Sequence, residues 1–181
     1  MQWWRLIIVA FLPLFSMANE YTTLGSVVHF EVPPEIIGPA EVTVSNTVPV
    51  GDDRRIFVTA YARRGLFGTS LVGNLAVSLL EWPQDVTDFP GLLDKVGEYL
   101  LRSKFKVSRS SVDFPGGNWI VFEQRTGPEN TLEAISCYTL LPRNEVLYVG
   151  LVMDNKMPSR QRSKLTKALQ TLLGSFRISG R

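Results

Sequence analysis

Apolar and polar positions alternate along the first half of the chain, and this period of two predicts β-strands. In the first strand, Ser26–Val32, the side chains at positions 28, 30 and 32 are apolar and share one face. Pro33 ends the run, because proline cannot continue a central strand. Further strands are predicted over residues 40–50, 55–62 and 74–82. The glycine-rich stretch between the last two is predicted to be a long connecting loop.

The apolar period then lengthens to between three and four residues, which predicts a helix after residue 88. Asp88 is a suitable N-cap, and Pro90 is tolerated in the first turn. Four more strands are predicted over residues 106–114, 118–125, 132–141 and 145–153. Short turns rich in Gly, Pro and Asn join them, and such turns favour an antiparallel meander.

A second helix is predicted near the end of the chain, with Ser159 as its cap. One face of this helix is continuously apolar and consists of Leu165, Ala168, Leu169, Leu172, Leu173 and Phe176. The predicted fold class is therefore α+β. It combines an antiparallel sheet with an N-terminal strand group, a middle helix, a four-strand meander and a C-terminal helix packed on the sheet.

This order of elements, closing on LLGSFRI at residues 172–178, resembles the PsbP-like superfamily. The opening VHFEVP at residues 28–33 is similar to the start of that family, with Pro34 and Glu35 where Gly-Trp often follows. The resemblance spans nearly all of the chain after residue 18. It implies a small exported α/β/α binding domain that docks onto larger proteins or assemblies. Because it includes no site motif, it assigns no functional residue.

Residues 1–18 have the pattern of a secretory signal peptide. Arg5 supplies the positive end, an apolar run covers residues 6–15, and small residues at 16 and 18 precede the expected cleavage. The run is shorter than the roughly 20 residues of a membrane span, although an uncleaved anchor is the alternative. We therefore expect one mature domain, residues 19–181, in the periplasm or another exported compartment. Membrane contact is expected only through an uncleaved signal.

The charge and the rarity of His and Cys narrow the possible functions. The 19 basic residues nearly balance the 17 acidic ones, which argues against a nucleic-acid partner. The single His29 is expected on the polar face of its strand, although it could act as a base with Glu31. Cys137 is expected to pack as a small apolar residue. With one His and one Cys, no metal site, catalytic residue or cofactor is predicted.

The acidic residues leave one catalytic alternative, a hydrolase that uses paired carboxylates. It would require the fold to bring together at least two of Glu81, Asp85, Asp88 and Glu123 in a polar pocket with shifted pKa values. Calcium binding through Asp52 and Asp53, or through Asp85 with Asp88, is not predicted, because the spacing of a calcium loop is missing. A further alternative is a carrier that holds a small apolar ligand between sheet and helix.

The stretch RRGLFGTSLVGN at residues 63–74 is the strongest candidate for a binding site. It lacks the lysine of a phosphate-binding loop and the final glycine of a nucleophile elbow. Its apolar residues at a loop predict a partner-binding surface formed by Arg64, Leu66, Phe67 and Leu71. The alternative is that the apolar side chains of this stretch, Leu66, Phe67, Leu71 and Val72, fold back over the sheet as a small cluster.

Three functions follow from these observations. The first is an exported, non-catalytic protein-binding module, an accessory or adaptor subunit of an envelope or secretion-related assembly. The second is a periplasmic immunity protein that inhibits a toxin. The third is the carboxylate-dependent hydrolase.

Overall fold

The computed structural model describes residues 17–38, 43–49, 54–80, 83, 85–102 and 104–180. The strands are β1 (Met17–Thr22), β2 (Ser26–Val32), β3 (Thr43–Pro49), β4 (Arg55–Gly65), β5 (Gly68–Leu80), β6 (Lys106–Phe114), β7 (Gly117–Thr126), β8 (Thr131–Leu140), β9 (Val146–Met153) and β10 (Arg177–Gly180). The helices are α1 (Pro34–Ile37), α2 (Phe89–Leu101) and α3 (Ser159–Ser175), and a 3-10 turn lies at Pro142–Asn144.

The strands form two antiparallel sheets. The large sheet has the order β3-β4-β5-β9-β8-β7-β6, and the small sheet has the order β1-β2-β10. The meander predicted from the sequence is β6 to β9, and its last strand pairs with β5. This pairing joins the meander to the preceding hairpin, so that both halves of the chain share one seven-stranded sheet. The α+β fold class is confirmed.

The large sheet is covered on both faces, because its central strands alternate apolar residues toward each side. On one face, α3 and the small sheet contribute to the main core, together with sheet residues such as Trp119, Val149 and Leu151. On the other face, α2 packs Leu92 and Leu93 against a smaller apolar cluster of sheet residues. The result is a three-layered arrangement in which the sheet separates the two cores.

Phe176 lies at the meeting point of three elements. It directly follows α3, and its ring stacks on Phe30 of β2 at a centroid distance of 4.9 Å. On its other side it meets Trp119 of β7 at 5.1 Å. All three side chains are fully buried. The space is filled so closely that a Cβ at Gly116 would lie 2.8 Å from the Phe176 Cβ.

The helices α2 and α3 were predicted from the sequence, whereas the short α1 was not, and the two predicted caps differ in outcome. The Asp88 cap is confirmed, because its Oδ1 accepts a hydrogen bond from the Gly91 N–H at 2.7 Å. The Ser159 cap is wrong. Pro158 occupies the cap position and Ser159 is already the first helical residue. The apolar face predicted for α3 is buried as expected.

Two short strands of the small sheet, β1 and β10, were not predicted. β1 starts at Met17, so that Met17 and Ala18 pair with Val32 and Glu31 of β2. Both residues fall inside the stretch that the sequence assigns to the signal peptide, whose residues 1–16 lie outside the described part of the chain. The signal peptide and its cleavage stay a prediction. None of the described helices has the length and apolar character of a membrane span.

The contribution of the buried Phe176 ring to stability can be tested by mutation. We expect Phe176→Ala to lower the free energy of unfolding by about 3–5 kcal/mol, because it empties a fully buried site between three elements. Urea unfolding followed by circular dichroism measures this change. The control is Tyr99→Ala, which removes an exposed aromatic ring from α2 and should change stability by less than about 0.5 kcal/mol. Similar losses in the two variants would contradict the role given to Phe176.

Candidate functional site

The stretch predicted as a long loop is a β-hairpin, so the loop prediction is wrong. β4 runs to Gly65 and β5 begins at Gly68, with only Leu66 and Phe67 between them. The register continues through Arg63 with Ser70, Arg64 with Thr69, and Gly65 with Gly68. The sequence did not predict this strand pairing, because the stretch is rich in glycine and glycine is uncommon in strands.

The end of this hairpin projects beyond its neighbours in the described sheet. β3 pairs with β4 only as far as Ala62, and β9 pairs with β5 only from Gly73. Three further residue pairs then extend alone, which corresponds to a projection of about 10 Å at 3.3 Å per residue. We call residues 63–71 the hairpin tip.

A β-bulge marks the base of the hairpin tip. The register shifts between Tyr61 and Ala62, which leaves Val72 as the extra residue on β5. The Val72 side chain is buried, and its carbonyl accepts a hydrogen bond from the Asp154 N–H at 3.0 Å. The bulge therefore fixes the hairpin to the core at the point where the neighbouring strands end.

The turn itself depends on one glycine. Gly68 has a φ of 120°, a conformation that L side chains rarely adopt. Leu66 and Phe67 do not have a positive φ. Because Gly68 takes the unusual conformation, two large apolar residues can occupy the turn without backbone strain.

The apolar side chains of the hairpin tip face solvent. Leu66 is 99% exposed, Phe67 is 104% exposed and Leu71 is 57% exposed. The expectation that these residues fold back over the sheet is therefore wrong for all three, and it holds only for Val72. Arg64 is exposed as well. The structure thus brings the four predicted contact residues onto one protruding element, and whether they bind a partner stays a prediction.

The hairpin also has an uneven charge. From Arg54 to Leu80 the sequence contains four arginines and no carboxylate. The guanidinium of Arg63 donates a hydrogen bond to the Lys156 carbonyl at 3.2 Å, which places the loop before α3 beside the hairpin. Sequence reasoning omitted Arg63 and Lys156 from the candidate surface, although the missing carboxylates were a readable signal.

The two residues considered as nucleophile or base lie elsewhere. His29 is half-buried on the face of β2 that points away from the core, opposite Glu20 of β1 and Arg177 of β10, as expected. Cys137 is fully buried in β8. Burial, and to a lesser extent repulsion from the Glu123 charge, raises the pKa of this thiol to about 12. The expectation that Cys137 packs as an apolar residue is confirmed.

The acidic residues required by the hydrolase alternative are not brought together in the described part of the chain. Asp85 is exposed, and its hydrogen bond with Lys95 lowers the pKa of the carboxyl. Asp88 caps α2. Glu123 pairs with Arg125 at 2.8 Å and faces the α3 side of the sheet.

Three of the acidic positions considered in the sequence fall outside the described residues. These are Glu81 of the hydrolase alternative and the pair Asp52 and Asp53 considered for calcium. Among the residues that are described, no group of three or more His, Cys, Asp or Glu side chains could hold a metal ion.

The burial of the Cys137 thiol can be tested by measuring the stability of the protein at alkaline pH. An unfolded cysteine ionises near pH 9.0, whereas the folded one keeps its proton to about pH 12. The thiol therefore does not affect stability below about pH 9, and above it the free energy of unfolding falls by up to about 1.4 kcal/mol per pH unit. We expect Cys137→Ala to show a shallower fall in urea unfolding between about pH 9 and pH 11. The tyrosines titrate in both proteins, so equal slopes would contradict the buried thiol.

Comparisons with known proteins concern the fold only. No protein-family model matches the chain, and no curated protein sequence matches it. Among solved structures, the chain is similar to the solution structure of cyanobacterial PsbP (CyanoP) from Synechocystis sp. PCC 6803, with a TM-score of 0.47 and 16% identity. The match covers 91% of this chain and 94% of that chain.

Proposed function

We propose that this chain is an exported, non-catalytic protein-binding module that docks onto its partner through the hairpin tip. It would serve as an accessory or adaptor subunit of an envelope or secretion-related assembly. The observation that carries this proposal is the complete exposure of Leu66 and Phe67 at the end of a ribbon fixed at its base.

The energetic argument starts from the cost of exposing these two side chains. Full burial of a Leu or Phe side chain contributes about 1.5–3 kcal/mol, and the folded chain forgoes this gain at both positions. A complementary pocket on a partner would recover it. The pairing of the ribbon and the bulge at Val72 already order the backbone, so little further ordering opposes binding. An aromatic anchor on an ordered element is typical of the residues that dominate protein interfaces.

The charge of the hairpin favours a partner with acidic residues around that pocket. Arg63 and Arg64 lie just behind the apolar turn, and the hairpin has no carboxylate to neutralise them. Charges in such positions mainly raise the rate of association and select against basic partners. The same protruding shape would suit a plug for the cleft of a toxin, which is the immunity-protein alternative. The identity of the partner distinguishes the two.

Site-specific crosslinking tests the proposal directly. A photoreactive benzoylphenylalanine at position 67, irradiated in cells that export the protein, should give a discrete adduct with one other exported protein. The control places the same group at Leu24, which is also exposed but lies in the β1–β2 turn beside Glu145, at the opposite end of β9. No adduct from position 67, or equal adducts from both positions, would contradict docking through the tip.

A double variant separates docking from folding. We expect Leu66→Ser with Phe67→Ser to abolish the adduct formed by a photoreactive group at position 71. Stability should change by less than about 0.5 kcal/mol, because both side chains are solvent-exposed. Mass spectrometry of the adduct and urea unfolding provide the two measurements. An unchanged adduct would place the contact surface elsewhere.

A further inference from the structure

A groove lies between α2 and the large sheet, on the face opposite α3. Its volume is about 780 Å³, within the range of pockets that hold small molecules. Leu92, Val96 and Tyr99 form its helix side. The sheet side is formed by Gln124, Ala134, Ser136, Tyr138, Tyr148 and Val152. The groove is lined by none of the hairpin-tip residues 63–71, although it reaches Met153 and Asp154 at the base of the hairpin.

The floor of the groove is an aromatic row across three strands. Phe122 of β7 meets Tyr138 of β8 edge-on at 5.8 Å, and Tyr138 meets Tyr148 of β9 at 5.3 Å. The Tyr148 ring lies over Gly150, where a Cβ would be 2.0 Å from its hydroxyl oxygen. A glycine is therefore necessary for this ring to lie against the sheet, and the ring offers an aromatic surface to the groove.

Hydrogen-bonding groups also face the groove. Gln124 is only 8% exposed, and it lines the groove. A ligand in the groove would hydrogen-bond this amide in place of water. Ser136 is close to the two tyrosine hydroxyls. Burial raises the pKa of Tyr138 and of Tyr148, so both hydroxyls stay protonated and can donate.

The basic side chains around the groove are already paired with carboxylates. The charged side chains that line it are Lys95, Glu98, Arg102, Glu133 and Asp154. Each basic residue has an acidic partner, Lys95 with Asp85 and Arg102 with Glu98 at 4.0 Å. The other two carboxylates each accept a hydrogen bond from the protein. This arrangement leaves no unpaired cation in the lining, so it disfavours an anionic ligand and suits an uncharged one.

We propose that this groove binds a small, flat, uncharged molecule that carries a hydrogen-bonding group such as a carbonyl. The ring system of the ligand lies between α2 and the Tyr138–Tyr148 surface. Its polar group bonds the Gln124 amide. This activity is a binding function in addition to partner docking, and it uses none of the residues of the hairpin tip.

Fluorescence titration of the purified full chain tests this site with two named probes. N-phenyl-1-naphthylamine is flat and uncharged and fluoresces in apolar surroundings, and coumarin is flat and uncharged and carries a carbonyl. We expect saturable binding of the first probe and its displacement by coumarin. A lack of saturable binding, or a failure of coumarin to compete, would overturn the proposal.

Two variants locate the site. Val152→Trp places a bulky ring in the groove at a position that is 46% exposed, and should weaken binding of both probes at least about tenfold. The matched control is Val112→Trp on β6, where the valine is 37% exposed and faces the α3 side of the sheet. This control should bind as the unmodified chain does. Equal losses in both variants, or unchanged binding in Val152→Trp, would overturn the proposal.

Gln124→Leu tests the hydrogen bond separately. It replaces the amide with an apolar side chain of similar size, so coumarin should bind about tenfold more weakly while binding of N-phenyl-1-naphthylamine changes by less than about twofold. A binding site at the apolar residues 6–15 or at the hairpin tip would be insensitive to Gln124→Leu and to Val152→Trp. Circular dichroism of each variant checks that it is folded. Parallel loss of both probes in a folded Gln124→Leu variant would contradict the assigned role of the amide.

Discussion

The packing of Phe176 between Phe30 and Trp119 is the contact on which the layered structure depends. The small sheet has three short strands, and a sheet of this size is not stable without a surface to pack against. Phe30 supplies that surface from β2, and Trp119 supplies it from the large sheet. Because Phe176 comes directly before β10, its position also sets the pairing of Arg177 with His29. One buried ring thus couples the end of α3 to both sheets.

The two faces of the large sheet are covered by different elements. The face that carries α3 and the small sheet holds the main core, which includes the buried Cys137. The opposite face carries α2, and the groove lies between this helix and the sheet. The two proposed binding features, the groove and the hairpin tip, both lie outside the main core.

The sequence predicted most of the elements because their signals are local. Each signal depends on residues within a few positions of one another. This holds for the alternation of apolar residues in the strands, for the longer apolar period of the helices and for the Asp88 cap. The hairpin tip was missed because its pairing depends on register across the strands and on the bulge at Val72. β10 was missed because four residues carry too little pattern, and its strand character comes from pairing with β2, about 150 positions earlier in the chain. From the sequence, a ligand site between sheet and helix was only an alternative without residues, because the lining of the groove depends on where α2 lies over the sheet.

The projection of β4 and β5 has a mechanical consequence. Both strands continue into the large sheet, where each is paired on both sides, β4 with β3 and β5 with β9. A pull on the tip along the ribbon would therefore load the flanking ladders in shear, so that many hydrogen bonds share the force at once. A pull across the ribbon would open the three terminal pairs one at a time. The tip would therefore resist force strongly in one direction and weakly in the other, so that the direction of a partner's pull would determine how long the docked state survives.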